Sequence, residues 1–67
     1  MIAQFFPNDE DVFVLDARGD WFLAKLPMHE VTHKGADAAL RRMGLRRREK
    51  WQEESYGWQA KVRWIER

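Results

Sequence analysis

The chain has 67 residues, no cysteine and a formal net charge of +1. This length indicates one small domain, residues 1–67, and the missing thiols exclude disulfides and make a cytoplasmic, reducing compartment the expectation. No stretch reaches the roughly 18 apolar residues of a membrane span, and residues 1–6 lack the basic region of a signal peptide. Because so small a domain buries only about 60% of its unfolded surface, its four Trp and four Phe must supply much of the core.

The first half of the chain predicts a β-hairpin. Residues 12–15 and 21–26 are rich in strand-forming side chains, and Asp16 with Gly19 fits a tight turn between them. One alternate set of side chains contains Phe13, Leu15, Trp21 and Leu23, and the other contains Val12, Val14, Phe22, Ala24 and Leu26. Both faces of this hairpin are therefore apolar, which predicts an interface on one of them. Residues 2–6 form a further, weaker candidate strand.

One helix is predicted next. Small and apolar side chains recur at helical spacing through Met43, and Gly44 follows as a left-handed terminator that brings Leu40 and Leu45 together. Thr32 or His33 is the expected start, although Gly35 is unfavourable in a first turn.

The second half, residues 45–66, predicts another hairpin. Trp58, Ala60, Val62 and Trp64 alternate with polar residues, which indicates a strand buried on one side. A turn at residues 53–56, closed by Gly57, places Trp51 opposite Trp58 and Leu45 opposite Trp64. We expect Trp51, Trp58 and Trp64 to lie in the core.

These elements predict an α+β fold, in which one helix lies between two β-hairpins (ββαββ) of a small antiparallel sheet, with an additional N-terminal strand as an open alternative. The charge is unevenly distributed, because residues 1–37 carry a net charge of −4 and residues 38–67 a net charge of +5. The second hairpin therefore has an apolar face and a basic face.

The basic face is the strongest functional signal. Like charges side by side on a strand pair repel each other, and a phosphate-rich partner would relieve that repulsion. Basic side chains also commonly protect exposed strands from aggregation, so the pattern has a structural explanation as well. The predicted nucleic-acid contacts are Arg46, Arg48, Lys50, Lys61 and Arg63, with Gln52 and Gln59 as additional hydrogen-bonding groups.

Two short motifs have simpler explanations. His29-Glu30-Val31-Thr32-His33 matches the zinc-protease pattern, but Pro27 and Gly35 argue against a helix through it and a third ligand is missing. Arg18-Gly19-Asp20 resembles an adhesion tripeptide, yet the predicted turn already accounts for its glycine. No metal or other cofactor is expected.

The sequence offers no catalytic set, so a non-enzymatic binding module is the expected class. The favoured partner is nucleic acid. The alternative is a protein-interaction or inhibitory accessory protein, of a size that suits a phage or mobile element, which acts through the apolar hairpin or a strand edge as a homodimer.

Overall fold

The computed structural model describes residues 1–65 and shows a small α+β protein. In this part of the chain one helix follows three strands and precedes three more. The elements are β1 (Ile2–Phe5), β2 (Asp11–Leu15), β3 (Phe22–Pro27), α1 (His33–Arg42), β4 (Leu45–Arg47), β5 (Gln52–Glu54) and β6 (Gly57–Trp64).

The N-terminal strand is present and lies in the middle of the sheet. The strand order is β3-β2-β1-β6-β4, and β5 also pairs with β6. All pairings are antiparallel, and β1 joins the two predicted hairpins by pairing with β2 on one side and β6 on the other. The α+β class is confirmed, and the additional N-terminal strand is present. The ββαββ arrangement differs in part, because three strands precede the helix and the strand predicted after it is divided into β4 and β5.

One face of the sheet, the inner face, packs against α1. Side chains alternate along β1, β2 and β6, so that on this face every second residue of β1 and β2 is buried, as are Ala60 and Val62 of β6. Small side chains on α1 allow the close approach, since Ala36 and Ala39 are at most 1% exposed. The buried apolar core contains Ala3, Phe5, Val12, Val14, Met28, Ala36, Ala39, Leu40, Leu45, Trp51, Ala60 and Val62.

The helix begins and ends where the sequence predicts. Thr32 caps it, because its side-chain oxygen accepts a 2.9 Å hydrogen bond from the Gly35 amide. A Cβ atom at Gly35 would lie 1.8 Å from the Glu30 carbonyl oxygen, so glycine is required by a close backbone approach. Gly44 ends the helix with φ +87° and donates to the Arg41 carbonyl oxygen at 2.9 Å.

The first hairpin, β2–β3, contains a β-bulge that changes the predicted faces. Val14 pairs with Ala24, but Leu15 pairs with Phe22, so Leu23 is an extra residue in β3. The prediction placed Phe22 on the same side as Val14. Because the bulge interrupts the alternation, Phe22 lies instead beside Phe13, with ring centroids 6.3 Å apart.

In the second hairpin, formed by β4 and β5 with β6, only half of the predicted register is correct. Leu45 lies opposite Trp64 as predicted, but Glu53 takes the place opposite Trp58 that was assigned to Trp51. The strand is interrupted at residues 48–51, where the Glu49 carboxylate accepts the Lys61 amide at 3.3 Å. This interruption shifts the register by two residues between β4 and β5.

The three tryptophans assigned to the core differ in burial. Trp51 is buried at 8% exposure and Trp58 is half-buried. Trp64 is 55% exposed, so its assignment to the core is wrong. Trp64 lies at the end of β6, beside Gly44. Because Gly44 follows the last turn of the helix and has no side chain, it leaves the Trp64 ring uncovered.

Candidate nucleic-acid interface

Four cationic side chains lie together on the outer face of the sheet, the one turned away from α1. Arg46 and Arg63 are directly opposite each other on β4 and β6. Arg48 is held next to Lys61, because its amide donates a 2.8 Å hydrogen bond to the Lys61 carbonyl oxygen. All four residues are exposed. We call Arg46, Arg48, Lys61 and Arg63 the outer basic cluster.

The outer basic cluster has no acidic partner within residues 1–65. The two ion pairs in this part of the chain are Lys25–Asp11 and Arg47–Asp37. The nearby carboxylate of Glu49 already accepts the Lys61 amide hydrogen. Directly opposite cations such as Arg46 and Arg63 repel, and the repulsion is largest at low salt.

Lys50 was predicted to project from the same strand, but it lies in the 48–51 loop. It lines a cavity of about 480 Å³ between α1 and β4, and cations predominate in its lining, which holds Arg41, Arg46, Arg47 and Arg48 together with the acidic residues Asp37 and Glu49. The positive surface therefore continues from the outer face around the β4 edge of the sheet to the helix.

Gln52 and Gln59 face each other on β5 and β6. They keep the predicted face because a register shift of two residues preserves the alternation of side chains. The Gln59 side-chain oxygen accepts a 2.8 Å hydrogen bond from the Gln4 amide group. These amides extend the outer face beyond the outer basic cluster.

Arg47 points to the helix and has a structural role. Its Nε lies 2.6 Å from Asp37 Oδ1 and its second guanidinium nitrogen 2.8 Å from Oδ2. Trp51 donates its indole N–H to the same carboxylate at 3.0 Å. The hydrogen bond to Asp37 is the main reason why the pKa of Arg47 is raised. This network anchors the 48–51 loop. The Arg47 guanidinium is therefore paired with Asp37, whereas Arg46 and Arg48 on either side of it are exposed to solvent.

Three aromatic side chains are strongly exposed: Tyr56 84%, Trp21 72% and Phe22 58%. Trp21 and Phe22 are the two whose buried or exposed face the sequence interpretation did not assign. The signal was present in the first hairpin, whose two apolar faces cannot both meet a single helix. The bulge then decides which of these residues reach the outer face.

The His-Glu-x-x-His segment does not form a single helix. His33 is the first helical residue, so His29 lies outside α1. The His33 ring packs against Trp58, with centroids 4.2 Å apart. Within residues 1–65 no group of three His, Cys, Asp or Glu side chains is arranged to hold a metal ion.

No helix in the described part of the chain is both long and apolar enough to cross a lipid bilayer. Comparison of the chain with protein-family models, curated proteins and solved structures gives no match. The interpretation of function therefore depends on the surface itself.

Proposed function

We propose that the protein is a non-enzymatic binding module that holds nucleic acid through its phosphates. The observation that carries this proposal is the pair Arg46 and Arg63, directly opposite each other and without an acidic partner in residues 1–65. Folding brings these charges together at an energetic cost, which bound phosphates would offset while releasing counterions.

The arrangement of the cations favours a linear polyanion over a single small anion. Lys61 and Arg63 are two residues apart on one strand and so are separated by roughly 6.5 Å. Arg46 and Arg48 are likewise two residues apart on the neighbouring chain segment, where Arg46 lies opposite Arg63 and the Arg48 amide donates to the Lys61 carbonyl oxygen. Two parallel rows of cations on an open surface can contact several phosphates in succession, and Lys50 and Arg41 extend the contact around the β4 edge.

The test is a fluorescence-anisotropy titration of a labelled oligonucleotide at several salt concentrations. With about five participating charges, log K should fall with log salt at a slope of roughly −3 to −5. Arg48→Ala and Lys61→Ala should each weaken binding to every sequence and reduce the magnitude of that slope by about one.

Lys34→Ala is the matched control, since it removes one exposed positive charge from the first turn of α1. It should leave both affinity and slope unchanged. Arg47→Ala would be a poor control, because it breaks the contact with Asp37. The proposal fails if the wild-type chain shows no affinity below about 100 μM at low salt, or if Lys34→Ala is as harmful as Lys61→Ala.

A second candidate function is self-association through the first hairpin. Strand β3 is at the edge of the sheet, and Trp21, Phe22 and Leu23 beside that edge are 72%, 58% and 51% exposed. Antiparallel pairing of two β3 edges would satisfy their free backbone groups and cover these side chains. Light scattering at tens of micromolar distinguishes the outcomes, because a mass of 8.1 kDa would exclude this association at that concentration.

A further inference from the structure

The outer face changes from aromatic to cationic along one row of paired residues. Phe22 lies opposite Leu15, Leu15 opposite Ile2, and Ile2 opposite Lys61. Arg48 continues the row through its backbone hydrogen bond to Lys61. Neighbouring strands are about 4.8 Å apart, so roughly 15 Å separates the Phe22 strand from the Lys61 strand. Apolar and cationic contacts are therefore available to one extended ligand.

The aromatic side of this face is a continuous ladder. The ring centroids of Phe6 and Phe13 are 5.9 Å apart, and those of Phe13 and Phe22 are 6.3 Å apart. Phe22 at the end of the ladder is 58% exposed, while the other two rings are half-buried. Phe13, which itself packs against Phe6, supports the Phe22 ring in place, and this lowers the entropic cost of using Phe22 as a stacking surface.

A cavity of about 480 Å³ adjoins the other end of the ladder. Phe6 and Tyr56 line it together with the side chains of Gln4, Gln59 and Glu54. The Glu54 carboxylate would repel a phosphate, but it can accept a hydrogen bond from an exocyclic amino group of a base. The amides can pair with base edges as donors or acceptors. The chemistry of this cavity suits a nucleobase.

We infer that the ligand of the outer face is single-stranded nucleic acid, with its phosphates on the outer basic cluster and its bases against the ladder of Phe6, Phe13 and Phe22. This inference rests on the proposed function and narrows it to a substrate class. Charge complementarity assigns the cationic half to phosphates. Among nucleic acids the aromatic half favours a single strand, because the bases of a duplex are already stacked on each other.

The test compares three probes of equal length: an oligothymidine, a strand of abasic sites carrying the same phosphates, and a duplex. Oligothymidine should bind most tightly. Loss of one stacked base should weaken binding by about 5- to 150-fold, so the abasic strand should bind at least 5-fold less tightly. Phe22→Ala should reduce the affinity for oligothymidine to a similar extent and leave that for the abasic strand unchanged.

Phe22→Tyr is the matched control, since it keeps an aromatic ring and should retain the preference for oligothymidine. Because Phe22 is exposed at the edge of the sheet, the variants should keep the wild-type circular dichroism spectrum. Phe22→Leu keeps apolar bulk without an aromatic ring and should lose most of the preference.

Three results would overturn the inference. Equal affinity for oligothymidine and the abasic strand would show charge-only binding and leave the proposed phosphate contacts intact. Tighter binding to the duplex would assign the surface to double-stranded nucleic acid. Absence of binding to all three probes would remove the proposed function as well, and a wild-type dimer that Phe22→Ala dissociates would then assign the ladder to contact between copies of the chain.

Discussion

The two hairpins of this protein are stabilised in different ways. The turn of the first hairpin is held locally, because the Asp16 carboxylate accepts hydrogen bonds from the amides of Arg18, Asp20 and Trp21. The second hairpin is held by the rest of the molecule. In its 48–51 loop the Trp51 indole N–H donates a hydrogen bond to Asp37 on α1, and Gly57 at its turn packs closely against the Phe5 backbone.

This difference explains where the exposed aromatic and cationic side chains lie. The tip of the first hairpin needs no packing partner, so it can leave Trp21 and Phe22 in solvent. The second hairpin uses its inner face for the helix, and its outer face is free to carry charges. The contrast indicates that a hairpin stabilised by its own turn can leave apolar groups of its strands exposed, whereas one that depends on the helix buries the middle of its inner face, at Ala60 and Val62, and exposes aromatic groups only at its ends, at Tyr56 and Trp64.

The largest expected effect comes from exchanging glycine for alanine in the two turns. A Cβ atom at Gly57 would lie 2.3 Å from the Phe5 carbonyl oxygen, and backbone there cannot yield easily. We expect Gly57→Ala to lower the free energy of unfolding by about 3 kcal/mol or more. Gly19 has φ +75°, and a Cβ atom there would make only an ordinary 3.9 Å contact with Ile2 Cδ1, so Gly19→Ala should cost only about 1 kcal/mol of left-handed strain. Urea denaturation measures both, and equal losses would contradict the contrast between the hairpins.

A smaller effect is expected from the Asp37 network. Asp37→Ala removes the partner of both Arg47 and the Trp51 indole, and should lower the free energy of unfolding by about 2 kcal/mol. In the first hairpin, Lys25 and Asp11 are 3.6 Å apart and Lys25 is 58% exposed. Lys25→Met should therefore change stability by less than about 0.5 kcal/mol. A similar loss in both variants would show that the network does not anchor the second hairpin.

The smallest expected effect is a pH dependence confined to the first turn. Desolvation of the Asp16 carboxyl is the strongest single influence and raises its pKa, but the backbone amides of the turn together outweigh it and lower the pKa below 3.8. Since the folded-state pKa lies below the unfolded value, charged Asp16 favours folding. Its contribution is fully present above the unfolded pKa and is lost as the pH falls through the folded pKa.

The measurement is an NMR titration of the turn amides at acidic pH. The amides of Asp20 and Trp21 should shift together with the Asp16 carboxyl carbon, with a midpoint below that of an exposed aspartate. Asp16→Asn should abolish this coupled shift. A midpoint at or above the ordinary aspartate value would contradict the role of these hydrogen bonds.

Local signals in the sequence were sufficient for several features of the fold. The cap at Thr32, the terminator at Gly44 and the pairing of Leu45 with Trp64 follow from side-chain chemistry and spacing. The same alternation along β6 placed Lys61 and Arg63 on one face. These features depend on residues close in sequence or on a strict period of two, which a single sequence displays directly.

Other features depend on contacts between residues that are distant in the sequence, so they could not be predicted from the pattern of neighbouring residues. The interruption at 48–51 exists because Trp51 and Arg47 reach Asp37 on the helix. Gly35 looked unfavourable in a helix, yet it is required by the approach of Glu30. The bulge at Leu23 moved Phe22 to the outer face, so alternation alone misassigned the residue on which the proposed base stacking depends.

The central position of β1 has a consequence for biosynthesis. Ile2 pairs with Lys61, and the Met1 carbonyl oxygen accepts the Val62 amide. β6 follows β1 and the other strands along the chain, so the middle of the sheet can close only after β6 has left the ribosome. Until then β1 has a neighbour on only one side, and the nascent chain exposes an open strand edge together with the aromatic side chains of the first hairpin. Closure of the sheet must therefore wait for the synthesis of β6, and any factor that shields nascent chains would act on that edge.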